Sequence, residues 1–110
     1  MNWKYDSEND QHTWKANNII TYIIYDSSTH IDYPSNKHAA LRDVTSSCDL
    51  TQGYFNKKGE IVCGSAMFCA CGLNDDAKFN TLHEAKDICE KDYSYIKAHL
   101  IEVLRDQKDF

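Results

Sequence analysis

The amino-acid sequence predicts an α+β fold: an antiparallel sheet of four to six strands with one long C-terminal helix packed on one face. Three observations carry this. Ile19 to Tyr25 concentrates β-branched and aromatic residues, which suit a pleated, half-buried surface. Thr81-Leu82-His83-Glu84 is a capping box, followed by apolar residues at helical spacing. The intervening chain alternates short apolar runs with polar turns and holds only 1 Pro and 4 Gly in 110 residues, a length suited to a single domain, 1–110.

The elements follow in order. Residues 2–6 put Trp3 and Tyr5 on one side of an extended segment, and Ser7 to Gln11 is a polar turn. His12 to Ala16 carries Trp14, and Asn17-Asn18 is a second turn signal. With Ile19 to Tyr25 these segments form a three-stranded meander. Residues 26–38 make the longest polar stretch, a loop; loops of this length are often functional or disordered. Ala39 to Val44 suits a short helix or a strand, and the sequence does not decide between them. Gly53 to Cys63 has the pattern of a hairpin, with Gly59 supplying the positive φ its turn needs. Ile61 to Cys71 is apolar on both faces: Ile61, Cys63, Met67, Cys69 and Cys71 on one, Val62, Ala66, Phe68 and Ala70 on the other. That pattern predicts a central strand, or a long strand kinked at Gly64.

Gly72 to Asn80 is a loop with Asp75-Asp76 at its tip. The helix is expected from about Leu82 to Asp106, with Ala85, Ile88, Cys89, Ile96, Leu100, Val103 and Leu104 on its apolar stripe. Asp92 interrupts the stripe, so either Tyr93 covers the gap or the helix kinks near Tyr93-Ser94-Tyr95. The sheet is the only large surface on which that stripe can pack. A core this thin would gain from a homodimer.

Composition excludes several classes. Apolar residues make up 42% and charged residues 26%, values of a folded chain rather than a disordered one. No apolar run spans a bilayer, and no secretory signal is visible at the N-terminus, so a cytoplasmic protein without membrane contact is expected. There are 12 basic and 17 acidic residues, for a net charge of -5, and the only basic cluster is Lys57-Lys58, which argues against direct nucleic-acid binding. Residues 60–110 carry most of the negative balance. A charged partner surface should therefore lie in that half and meet a basic partner, unless it is simply a solvated helix face.

Five cysteines stand in the chain: Cys48, Cys63, Cys69, Cys71 and Cys89. The odd count and the missing signal argue against a disulfide framework. Free thiols that behave as small buried hydrophobes account for them. The alternative is a zinc-stabilised or thiol-based module built on Cys63, Cys69, Cys71 and either Cys48 or Cys89. Structural zinc sites favour paired ligands two to four residues apart, whereas Cys69-Ala70-Cys71 has a single spacer and no second pair. No metal ligand or cofactor is assigned.

Catalytic signatures are equally sparse. His12, His30, His38, His83 and His99 are available to activate a thiol, but none has a recognisable context for it. Asp75 and Asp76 are adjacent, so their side chains should diverge in an extended loop. Glu84 and Asp87 suit the positive end of the helix, and Asp87 forms an i,i+4 pair with Lys91. No phosphate-binding glycine loop is present. Tyrosine is abundant; strand packing accounts for Tyr5, Tyr22 and Tyr25, and Tyr33 in the long loop is the better contact residue.

Two segments carry a family resemblance. Asn2-Trp3, Trp14-Lys15-Ala16 and Tyr22-Ile23-Ile24 stand near the start, and Phe79-Asn80-Thr81-Leu82-His83-Glu84-Ala85-Lys86-Asp87-Ile88-Cys89-Glu90 near the end. The chain thereby resembles small bacteriophage, prophage and mobile-element accessory proteins with a W…WxA…YxI meander and an FxTLxEAKxxCE helix. The resemblance covers about a third of the chain, and its motifs mark strands and a capped helix rather than a site. It implies a small, acidic, non-enzymatic protein that binds and modulates or inhibits a host protein, such as a defence factor (in the manner of an anti-CRISPR) or a nucleic-acid-handling factor. The expected contact residues are Tyr33, Asp75, Asp76, Asp87 and Glu90, facing a basic surface in the host cytoplasm.

Overall fold

A computed structural model describes residues 2–26, 37–45, 50–63 and 75–99. Six strands form one antiparallel sheet in sequential order: β1 (Lys4–Asp6), β2 (Gln11–Lys15), β3 (Ile20–Asp26), β4 (His38–Val44), β5 (Gly53–Phe55) and β6 (Ile61–Cys63). A short 3-10 turn, Asp75–Ala77, precedes the helix α1 (Leu82–His99), which packs on β3 and β4. This is the expected α+β arrangement. The described helix is not long and apolar enough to cross a membrane.

The meander forms where its turn residues direct it. The Asp6 carboxylate accepts from the backbone N–H groups of Glu8 and Asn9 and from the Asn9 side chain, closing the first turn. The hydrogen bond from the Asn9 side chain is the largest cause of a lowered Asp6 pKa. Asp10 takes a positive φ of 49°, a conformation that Asp tolerates, and the Tyr5 hydroxyl donates to its carboxylate at 2.8 Å. In the second turn the Asn17 side chain accepts from the amides of Ile19 and Ile20 at 2.9 and 2.8 Å.

Ala39 to Val44, which suited helix or strand, lies within β4. That strand pairs with β3 over seven consecutive positions, from Asp26↔His38 to Ile20↔Val44. Non-local pairing settles a segment whose local propensity is ambiguous. Alternation then divides β3 cleanly. Ile20, Tyr22 and Ile24 join the core beneath the helix, whereas Ile23 and Tyr25 pack with Ala39, Leu41, Tyr54 and Ala77 on the opposite face.

The 53–63 hairpin is also present. The Asn56 side chain accepts from the amides of Lys58 and Glu60, both at 2.9 Å, and Gly59 adopts φ +85°. Its ladder is irregular: Tyr54 pairs with Cys63 and Phe55 with Ile61, leaving Val62 as a bulge. Residues 64–71, the rest of the expected long strand, lie outside the described residues, as does the helix end expected at Asp106.

Asp75 and Asp76 sit in a 3-10 turn rather than an extended loop tip. The turn is tied to the hairpin by the Lys57 amide, which donates to the Asp76 carbonyl at 2.8 Å. Phe79, read as part of the loop, is instead 2% exposed and bridges His38 in antiparallel fashion. Tyr5 is another departure: at the sheet edge it is 58% exposed, its ring set against His12 at a 39° tilt instead of buried.

The Thr81 hydroxyl accepts from the Glu84 amide at 3.1 Å, half of the expected capping box. Replacing a capping Thr by Ala usually costs about 1 kcal/mol. A Thr81→Ala variant should therefore lose about that much unfolding free energy by urea titration, with an unchanged m-value.

Candidate functional site

The helix runs unbroken through Asp92 and Tyr93 to His99. Ala85, Cys89, Asp92 and Ile96 recur at helical spacing on its inward side. Ala85, Cys89 and Ile96 are buried apolar contacts. Asp92 meets Arg42, a buried charged residue that follows the apolar Ala39, Ala40 and Leu41 in β4. The Arg42 Nε donates to Asp92 Oδ2 at 2.8 Å, and its Nη2 donates to Asp92 Oδ1. The Nη1 donates to the Thr51 carbonyl at 2.8 Å. Asp92 Oδ2 also accepts from the Tyr22 hydroxyl at 2.6 Å.

Both charged side chains are about nine-tenths buried, at 9% and 10% exposure. Burial alone would lower the Arg42 pKa; hydrogen bonds and charge from Asp92, and then Tyr22, outweigh that and raise it. Burial raises the Tyr22 pKa strongly, reinforced by the Asp92 charge. Arg42 therefore stays cationic and Tyr22 stays a neutral donor. The bidentate geometry is the strong form of this pairing.

Tyr93, the next residue along α1, joins an aromatic layer beside this pair. Its ring meets Trp14 edge-on at 5.3 Å, and Trp14 stacks on Tyr22 at 5.2 Å. Trp3 packs against Trp14 at 5.6 Å and donates its indole N–H to Glu90 at 3.2 Å. Sequence reading missed this continuous layer because its members come from β2, β3, α1 and the segment before β1.

The five expected contact residues do not form one patch. Asp75 and Asp76 are exposed and docked on the β5–β6 hairpin. Glu90 lies on the β1 side, where it holds Trp3. Asp87 is half-buried and accepts from Lys91 at 3.1 Å, the expected i,i+4 pair. Tyr33 lies outside the described residues. So do Cys48, Cys69 and Cys71, and the side chain of Cys63. Cys89 is free and fully buried beneath the helix, and burial raises its pKa well above the usual thiol range. It is a protonated core residue. No group of three metal-ligating side chains occurs among the described residues.

A second feature was not anticipated. Between α1 and the β5–β6 turn lies an open groove of about 470 Å³. The Arg42–Asp92 pair lines it, together with Lys58, Lys91, Tyr95, Ile88 and Ile96. The sequence signals were present but scattered: a Lys-Lys turn, and Lys91 and Tyr95 one helical turn apart. Their convergence needs the hairpin to lean on the helix, as it does where Gly59 faces the Ile88 side chain.

Comparison with protein-family models, with curated proteins and with solved structures finds no match to this chain.

Two predictions follow from the buried groups. Removing one partner of a buried pair usually costs about 3–5 kcal/mol, whereas replacing both by apolar residues costs much less. Arg42→Ala or Asp92→Asn should therefore destabilise strongly, and the double variant R42M/D92L should recover most of the loss in urea unfolding. Cys89 should resist iodoacetamide in the native protein and become alkylated on unfolding, as intact-mass spectrometry would detect.

Proposed function

We propose that this protein is a non-enzymatic interaction module that presents an acidic turn to a basic surface on a partner protein. The observation that supports this reading is the placement of Asp75 and Asp76. Both are exposed, on a turn anchored to the sheet by the Lys57–Asp76 backbone hydrogen bond and followed by the Phe79–His38 bridge. A turn held at Asp76 and again at Phe79 loses little conformational freedom on binding, which favours affinity. Its charge should speed encounter with a cationic partner and lend the complex a strong salt dependence.

Asp87 and Glu90 take secondary parts. Each already interacts within the chain, Asp87 with Lys91 and Glu90 with Trp3. The resemblance to phage and mobile-element accessory proteins suggests a bacterial host protein as the partner, modulated or inhibited by occlusion of its basic surface. Such a protein would act in the host cytoplasm.

The test compares wild-type protein and a D75K/D76K variant as baits in the same bacterial lysate. A partner captured by wild type should be lost or greatly weakened with the variant, while circular dichroism and thermal unfolding stay unchanged. Equal capture of that partner by both baits would remove the acidic turn from the interface.

A further inference from the structure

The groove between α1 and the β5–β6 turn contrasts with the acidic character of the chain as a whole. Three cationic side chains, Arg42, Lys58 and Lys91, line it against one carboxylate, Asp92. The cations differ in kind. Arg42 is fixed at the base: three of its five N–H donors go to Asp92 and Thr51, which sets the guanidinium plane. Lys58 and Lys91 are exposed residues with long stems that can close on a ligand. Lys91 is held by Asp87 only through a 3.1 Å surface pair, a class of contact worth little in water. Lys58 has no ion pair among the described residues. Its backbone position is nevertheless defined, because the Lys58 amide donates to Asn56 and Gly59 closes the turn at φ +85°.

The rest of the lining is apolar or aromatic. Ile88 and Ile96 form a wall, and Tyr95 is 58% exposed beside it. A bare inorganic anion would leave most of the roughly 470 Å³ unfilled; this volume falls within the range of small-molecule sites. Cations alone would suit any anion, and an apolar wall alone any greasy body. Their coincidence in one groove selects a ligand with both properties.

We propose that this groove binds a small organic anion, a phosphate or carboxylate carried on a flat apolar body. Lys58 and Lys91 hold the anionic group above the fixed Arg42, and Tyr95 with Ile88 covers the body. The residues differ from those of the acidic turn, so this site and the partner surface stand or fall separately.

The test is isothermal titration of the full chain with four probes: AMP, indole-3-acetate, adenosine and inorganic phosphate. At least one of AMP and indole-3-acetate should bind saturably at one site per chain, and the one that binds identifies the headgroup as phosphate or carboxylate. Adenosine and inorganic phosphate, each lacking half of the recognised chemistry, should bind at least about tenfold more weakly than the preferred anion. A K58Q/K91Q variant should weaken that anion at least about tenfold, and Y95A should weaken it by a smaller factor. Both variants alter exposed side chains, and an unchanged melting temperature would verify their fold. Absence of saturable binding by both organic anions up to about 1 mM would overturn the proposal. So would wild-type affinity in a folded K58Q/K91Q variant, or inorganic phosphate binding as tightly as the preferred organic anion.

Discussion

The buried pair between Arg42 and Asp92 is the constraint on which the described architecture turns. Arg42 comes from β4 and Asp92 from the middle of α1, and the Tyr22 hydroxyl of β3 completes the carboxylate's shell. The Arg42 contact to the Thr51 carbonyl draws in the segment leading to β5. Such a pair is a poor source of net stability, because desolvating two charges offsets most of their attraction. Its value lies in selectivity. A helix rotated or shifted by one residue would leave a carboxylate and a guanidinium buried apart, at a cost of several kcal/mol. An apolar stripe alone would tolerate such slippage far better.

Once Asp92 is turned inward, the rest of the helix surface is assigned. Ala85, Cys89 and Ile96 go to the core. Glu90 falls on the side of Trp3, where the tryptophans, Tyr22 and Tyr93 build a continuous aromatic layer. Ile88, Lys91 and Tyr95 fall on the side of the β5–β6 hairpin and meet Lys58 across the groove. One ion pair therefore separates two flanks with different chemistry. It also explains why acidic residues close in sequence part company: Glu90 goes to the β1 flank, while Asp76 docks on Lys57 at the opposite end of the strand order.

Cys89 sits between Ala85 and Ile96 on the inward side of the helix, fully buried. A thiol there fills a small apolar volume, and the same burial that makes it a good packing residue keeps it protonated.

What the sequence determined by itself was whatever depends on neighbours a few residues away. The polar turns that separate β1, β2 and β3, the positive φ at Gly59, the Thr81 cap and the Asp87–Lys91 pair are all local, and all are present. The fold class follows from them, because strands joined by short turns must pair antiparallel and an amphipathic helix must cover a sheet. Tertiary structure alone decided the remainder. Residues 38–44 became a strand through seven pairings with β3, and Asp92 ceased to be an interruption once Arg42, fifty positions away, was brought against it. The groove likewise joins a hairpin turn to one side of a helix across thirty residues of chain. Periodicity records which residues share a face of one element. It carries no record of which faces meet, because that depends on packing and on the desolvation of charges between segments distant in sequence.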